Sequence, residues 1–312
     1  MLITVDTGEI DQLKIYLKYF KMSIHKPSNG FLGLPNQVVS KNKVQIIPFG
    51  LEKTVTYNGG TKFGPRNIIK ASHQVELFDE ELKMLSYKKF NIETLKIIKI
   101  KSKLKDALLQ LTKIVDQSLI KNKLPIVLGG EHTITPAIIK SFANKYSNLT
   151  IVQIDAHADL RNNYLGLNFS HATAMRRCLD YKNINIISFG IRNLSQEEYD
   201  YINKNKKRIK IFWAKDSHKW NMTKFKKLLK NKNVYVTFDL DGFDSSLMPA
   251  TGTPEPGGLF WNDAMKILKT TFENSHVVGA DVSELSPKKN LFACDFLAAK
   301  LVYKILSYKF AN

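Results

Sequence analysis

Along this chain, short apolar runs alternate with longer segments in which apolar residues return every three or four positions. The runs KVQIIPFG (43–50), LPIVLGG (124–130), LTIVQIDA (149–156), NINIISFGI (183–191), RIKIFWA (208–214), NVYVTFDLD (233–241) and HVVGADVSEL (276–285) are rich in β-branched residues and read as strands. Between most of them lie helical patterns: GPRNIIKAS (64–72), KSKLKDALLQLTKIVDQSLIKNK (101–123), TPAIIKSFANKY (135–146), EEYDYINKN (197–205) and WNDAMKILKTTFENS (261–275). In the second of these, Leu104, Leu108, Leu111, Val115 and Leu119 keep the spacing of one helix face. Pro65 falls in the first turn of the first helix, where its missing N–H has no partner to lose. The strand runs are continuously apolar, not alternating, which predicts a parallel sheet covered by helices on both faces. No internal repeat, low-complexity tract or proline-rich linker interrupts residues 41–312, so they read as one domain. Residues 1–40 are the least periodic part, with HKPSNGFLGLPN as loop, and read as an N-terminal extension.

In an open parallel sheet, ligands bind beyond the carboxyl ends of the strands. Here those ends carry chemistry. One run stops in Glu131 and His132, the next in Asp155, His157 and Asp159, a third in Asp239 and Asp241, and a fourth in Asp281 with Glu284 three residues on. A following segment holds Ser170 and His171. In extended backbone, residues two apart share a face, so Asp155, His157 and Asp159 form one set and Asp239 and Asp241 another. Singly, each has an ordinary explanation: a surface histidine, a turn aspartate, acids in the first turn of a helix. Together they would crowd several anions onto one sheet edge, at a cost of several kcal/mol for each that is buried unpaired. Bound cations resolve this. Four aspartates and two histidines are too many for one tetrahedral ion and enough for two ions sharing bridging carboxylates. This oxygen-rich donor set suits manganese or its neighbours. Two such ions about 3.5–4 Å apart make hydroxide available near neutral pH, so the residues alone point to a binuclear metallohydrolase.

Charge and cysteine content change this picture little. The net charge of +19, from 47 basic and 28 acidic residues, invites a nucleic-acid reading. The lysines, however, are scattered, and the densest run, NKNKKRIK (203–210), has no aromatic residues among its charges, so neither nucleic acid nor membrane is expected as a partner. Cys178 and Cys294 form no CxxC pair and imply no disulfide framework. The first residues lack a signal-peptide pattern, so a cytoplasmic location is expected.

GGEHTIT, DAHADLR, FSHATAMRR, FDLDGFDSSLMPATGTPEPGG and ADVSELSP resemble, in order and spacing, the motifs of the ureohydrolase family of arginases and agmatinases, and the upstream PFGLEKTVTYNGGTKFGPRN resembles its agmatinase-type members. The likeness covers roughly residues 43 to 308. It implies a three-layer α/β/α sandwich with a mostly parallel central sheet, two manganese ions per subunit, and assembly into trimers or hexamers. By this resemblance His132 and Asp159 bind the first metal, His157 and Asp241 bind the second, and Asp155 and Asp239 bridge the two. His171 matches the mobile histidine that shuttles protons, and Glu284 the acid that holds the guanidinium group. FLGLP matches an N-terminal segment expected over the active-site mouth or at a subunit contact.

The family's substrates are small guanidino compounds, cleaved to urea and an amine. Arginases place an asparagine two residues after DxHxD and a Ser-Gly-Asn segment before the mobile histidine. This chain has Arg161 and GLNFSH instead, which argues against L-arginine and toward agmatine, giving putrescine. Arg161, if it lines the pocket and is not taken up in a surface ion pair, would favour an acidic compound such as guanidinobutyrate. Two other readings compete: a non-catalytic nucleic-acid-binding protein on the same fold, and a hydrolase of a different amide or amidine bond.

Overall fold

The computed structural model describes residues 22–311. Eight strands form one sheet: β1 (Lys43–Phe49), β4 (Asn91–Thr94), β5 (Leu124–Gly129), β6 (Leu149–Ile154), β7 (Ile184–Phe189), β8 (Ile209–Phe212), β9 (Asn233–Asp239) and β10 (His276–Ser283). Their order is β4-β1-β5-β10-β9-β6-β7-β8, and every pairing is parallel. A small antiparallel pair, β2 (Phe78–Asp79) and β3 (Met84–Leu85), stands apart.

The apolar runs form strands because both faces of each are buried. In β6, Leu149 and Ile151 pack into one hydrophobic layer and Val152 and Ile154 into the other, as alternation requires. One layer is closed by α1 (Gly64–Ser72), α6 (Met222–Leu229), α7 (Trp261–Asn274) and α8 (Phe292–Phe310). The opposite layer is closed by α2 (Leu104–Ile120), α3 (Thr135–Lys145), α4 (Ala174–Cys178) and α5 (Gln196–Lys204). The result is the α/β/α sandwich that the sequence implied, with a sheet that is parallel throughout.

Two elements escaped the hydrophobic pattern. Strand β4 is only four residues long, and three of them, Asn91, Glu93 and Thr94, are polar. Helix α8 buries Leu301, Val302, Tyr303, Lys304, Ile305 and Leu306 in succession, so its apolar residues keep to no single face. Residues 1–21 of the N-terminal extension lie outside the described residues. Within the FLGLP segment, Phe31, Leu32 and Leu34 are buried against the α1 and β4 side, where the Phe31 amide donates to Thr94 and the Leu32 amide to Ser72. That edge of the sheet lies two strands from β5. None of the described helices is long and apolar enough to cross a membrane.

Candidate metal centre

Strands β5, β10, β9 and β6 are consecutive in the sheet, so their carboxyl ends lie side by side. Glycine makes the approach possible. A Cβ on Gly130 would come 2.0 Å from the Leu51 carbonyl oxygen, and one on Gly242 would come 2.8 Å from the Asp155 nitrogen. These contacts press the turn after β5 under the β1 loop and the turn after β9 onto the end of β6.

His132 Nδ1 ends up 2.9 Å from Asp159 Oδ2, 3.1 Å from Asp155 Oδ2 and 3.3 Å from Asp239 Oδ2. His157 Nδ1 lies 3.0 Å from Asp241 Oδ2 and 3.8 Å from Asp155 Oδ1. Two ligand-type groups result, His132–Asp155–Asp239 and Asp155–His157–Asp241, with Asp155 in both. The backbone secures them: the His157 amide donates to Asp155, the Ala156 amide to Asp241, and the Asp241 amide to Asp239. Gln153, itself held by the Ser188 hydroxyl, donates to Asp155 Oδ2.

The convergence does not come from strand alternation. Strand β6 ends at Ile154, before any of its three predicted ligands, and Asp159 reaches His132 from a left-handed backbone position (φ 54°). Asp241 belongs to a 3-10 turn, not to the extended segment that holds Asp239. Asp281 needs a correction: it lies inside β10, behind the site, where it accepts hydrogen bonds from Thr237, Tyr235 and Thr135. There it supports His132. Because the Thr237 hydroxyl donates to Asp281, its oxygen accepts from His132 Nε2 (2.8 Å), which leaves Nδ1 as the nitrogen that faces the carboxylates.

That Nδ1 is buried among three carboxylate oxygens, a donor set that suits a metal ion. The electrostatics agree. Burial and the neighbouring Asp241 raise the pKa of Asp155, and burial and Asp155 push Asp159 up to about 7. Burial opposes charge on both histidines, yet the adjacent aspartates outweigh it, raising His132 well above its ordinary value and His157 to about 10. The cluster thus draws in whatever positive charge it can. His132, Asp155, His157, Asp159, Asp239 and Asp241 together can hold a cation.

The remaining candidates surround a cavity of about 220 Å³ above this floor. Glu284, also left-handed (φ 68°), lines it and receives the His132 amide on Oε1 at 2.6 Å. Strain of this kind, on the order of 1–3 kcal/mol, persists where the surroundings impose it. His171 lines the cavity too, with Tyr164 edge-on to its ring. Burial first, and then the neighbouring His157 and His132, lower its pKa to about 4. Arg161 both lines the cavity and is partnered: its Nε lies 3.8 Å from Glu198 and its guanidinium rests over Tyr164. Sequence reasoning missed Glu198 and Glu255, two further acids on the cavity wall. Glu255 was visible inside TGTPEPGG, an acid between two prolines, and here it accepts from Asn193 (2.5 Å) and lies 3.8 Å from His157 Nε2.

Known proteins resemble this chain in sequence and in fold. The chain is 33% identical to an N(1)-aminopropylagmatine ureohydrolase of Synechocystis sp., over 91% of this chain and 97% of that one. It is 32% identical to an agmatinase of Halalkalibacterium halodurans, over 79% and 85% of the two chains. The crystal structure of the agmatine ureohydrolase of Thermoplasma volcanium superposes with a TM-score of 0.77 at 25% identity, covering 96% of this chain and 98% of that one. Residues 42–307 match the sequence model of the Arginase family, and the chain belongs to that family of hydrolases.

Proposed function

We propose that this protein hydrolyses a guanidino amine to urea and an amine with the aid of two manganese ions, agmatine being converted to putrescine. The observation that carries this reading is the pair of ligand groups sharing Asp155 on the floor of a cavity whose wall bears Glu284 and His171. His132 and Asp159 would hold one ion, His157 and Asp241 the other, with Asp155 and Asp239 between them. When bound, the ions offset the carboxylate charge and acidify a water molecule.

The chain's own residues account for the rest. Glu284, fixed through Oε1 by the His132 amide, presents its remaining oxygen to a planar cation and sets the guanidinium carbon in line for attack. His171 would take a proton from the attacking water and pass it to the departing nitrogen.

The cavity wall favours a cationic substrate. Glu198 compensates Arg161, while Glu255 adds negative charge at the rim, so the basic protein surface need not repel an amine. Arg161 keeps guanidinobutyrate as the second reading, because a carboxylate could displace Glu198 as its partner. The same reading makes the protein a cytoplasmic homo-oligomer, a trimer or hexamer, in line with the family resemblance.

The test is urea release by the manganese-loaded protein from agmatine, N1-aminopropylagmatine, L-arginine, guanidinobutyrate, guanidinopropionate and guanidine. Preference for agmatine or its aminopropyl derivative is expected. Urea from the acidic compounds alone would make Arg161 the specificity residue, and no urea from any of them would overturn the reading.

A further inference from the structure

Glu131 and Thr54 carry no ligand role, yet both are buried beside the site. Glu131 precedes His132 but does not line the cavity. Its Oε2 instead accepts the amides of Lys53 (3.0 Å) and Thr54 (2.7 Å), tying the loop after β1 to the loop after β5. Thr54, so anchored, places its hydroxyl 3.1 Å from His171 Nδ1, 3.2 Å from the His171 amide nitrogen and 3.1 Å from the Thr133 hydroxyl. A hydroxyl has one proton to give and two lone pairs to offer, and these three contacts use all of them. The amide takes one lone pair. The ring nitrogen and Thr133 share the other lone pair and the proton. His171 is therefore gripped by one side chain at both its backbone and its ring.

We propose that Thr54, held by Glu131, is a positioning residue for His171: it engages Nδ1 and thereby keeps Nε2 as the nitrogen that faces the cavity. The inference rests on His171 being the proton carrier proposed above. The hydroxyl pair also suits a ring that gains and loses a proton. For Nε2 to take up and release a proton, Nδ1 stays protonated and donates to Thr54, which turns its own proton to Thr133. No heavy atom has to move. Thr54 lies more than a hundred residues before the histidine it holds, so no local sequence pattern joins the two.

Kinetics and crystallography on the full-length enzyme test this separately. In the manganese-loaded protein, Thr54→Val removes the hydroxyl at nearly constant volume, and kcat is expected to fall about tenfold or more, since misplacing a catalytic group by about 1 Å can cost 10²-fold. KM and manganese content should stay within about twofold, and Thr54→Ser should restore most of the rate. In a His171→Ala background the Val substitution should add less than about twofold, because a residue that acts through His171 has nothing left to position. Equal losses in both backgrounds, or an unchanged kcat in Thr54→Val, would overturn the proposal. Crystal structures of the wild type and Thr54→Val decide the same point without activity. The ring should leave its wild-type rotamer in the variant, and an unmoved ring would refute the inference. A wild type inactive on every guanidino compound would sink the proposed function, while the ring's position would still judge Thr54.

Discussion

Asp79 and Glu81 meet Lys304, whereas Asp155, Asp159, Asp239 and Asp241 meet one another. In the first cluster the Lys304 ammonium, 2% exposed, lies 3.0 Å from Asp79 Oδ1 and 2.9 Å from Glu81 Oε2, and Lys269 and the Tyr308 hydroxyl complete the shell around Glu81. The cation is covalently part of α8. In the second cluster, among the described residues, no lysine or arginine pairs with any of the four aspartates. Arg192, which approaches closely, spends its donors on the backbone carbonyls of Asp241, Phe243 and Glu255. The two clusters face the same problem of buried negative charge. One is solved by the sequence and serves as a fastening between the β2–β3 hairpin and the last helix. The other is left open, and that openness is what a metal-dependent hydrolase requires.

Replacing the shared aspartate tests the open cluster most severely. Asp155→Asn removes the residue common to both groups, and urea release should fall by more than the roughly 10–100-fold that loss of a supporting residue costs, with manganese content dropping in parallel. Full activity and full metal content in this variant would remove the basis for a two-ion centre. Lys304→Met tests the closed cluster. It leaves Asp79 buried without its counterion, and denaturant unfolding should show a loss of about 3–5 kcal/mol while urea release per folded molecule is unchanged. A variant as stable as the wild type would mean that the fastening is ornamental.

The smallest effect is one of pH. Burial raises the Glu81 pKa, but Lys269, Tyr308 and Lys304 prevail and bring it down to about 2. A depressed carboxylate contributes stability that is complete above its unfolded value near 4.5 and is lost as pH falls toward 2. Stability measured across that window should decline less steeply in Glu81→Gln than in the wild type, and a partly exposed pair makes the difference modest. Identical slopes would show that Glu81 is equally easy to protonate folded and unfolded.

The members of the open cluster were legible in the sequence because aspartates and histidines at the ends of buried strands have few other reasons to be there. How they meet was not legible. Asp159 arrives through a left-handed turn and Asp241 through a 3-10 turn, and neither follows from alternation along a strand. Asp281 looked like a strand-end acid and is an interior one, since β10 runs on through Ser283. The closed cluster was invisible: Asp79, Glu81 and Lys304 are ordinary charges in a charged chain, and only the folding of α8 over a hairpin more than two hundred residues away makes them partners. Thr54 belongs to the same class of residue, defined by what it touches across the fold.

The sheet order has a consequence for how this chain comes off the ribosome. Strand β10 is the last to be synthesised, yet it occupies the middle of the sheet, between β5 and β9. Until it emerges, the nascent chain holds two half-sheets, β4-β1-β5 and β9-β6-β7-β8, each ending in a bare apolar edge. Such edges are templates for wrong pairing, and long-range parallel closure is slow. The interval between the exit of β9 and the exit of α8 is therefore when this protein is most exposed to misassembly and most in need of a chaperone's cover.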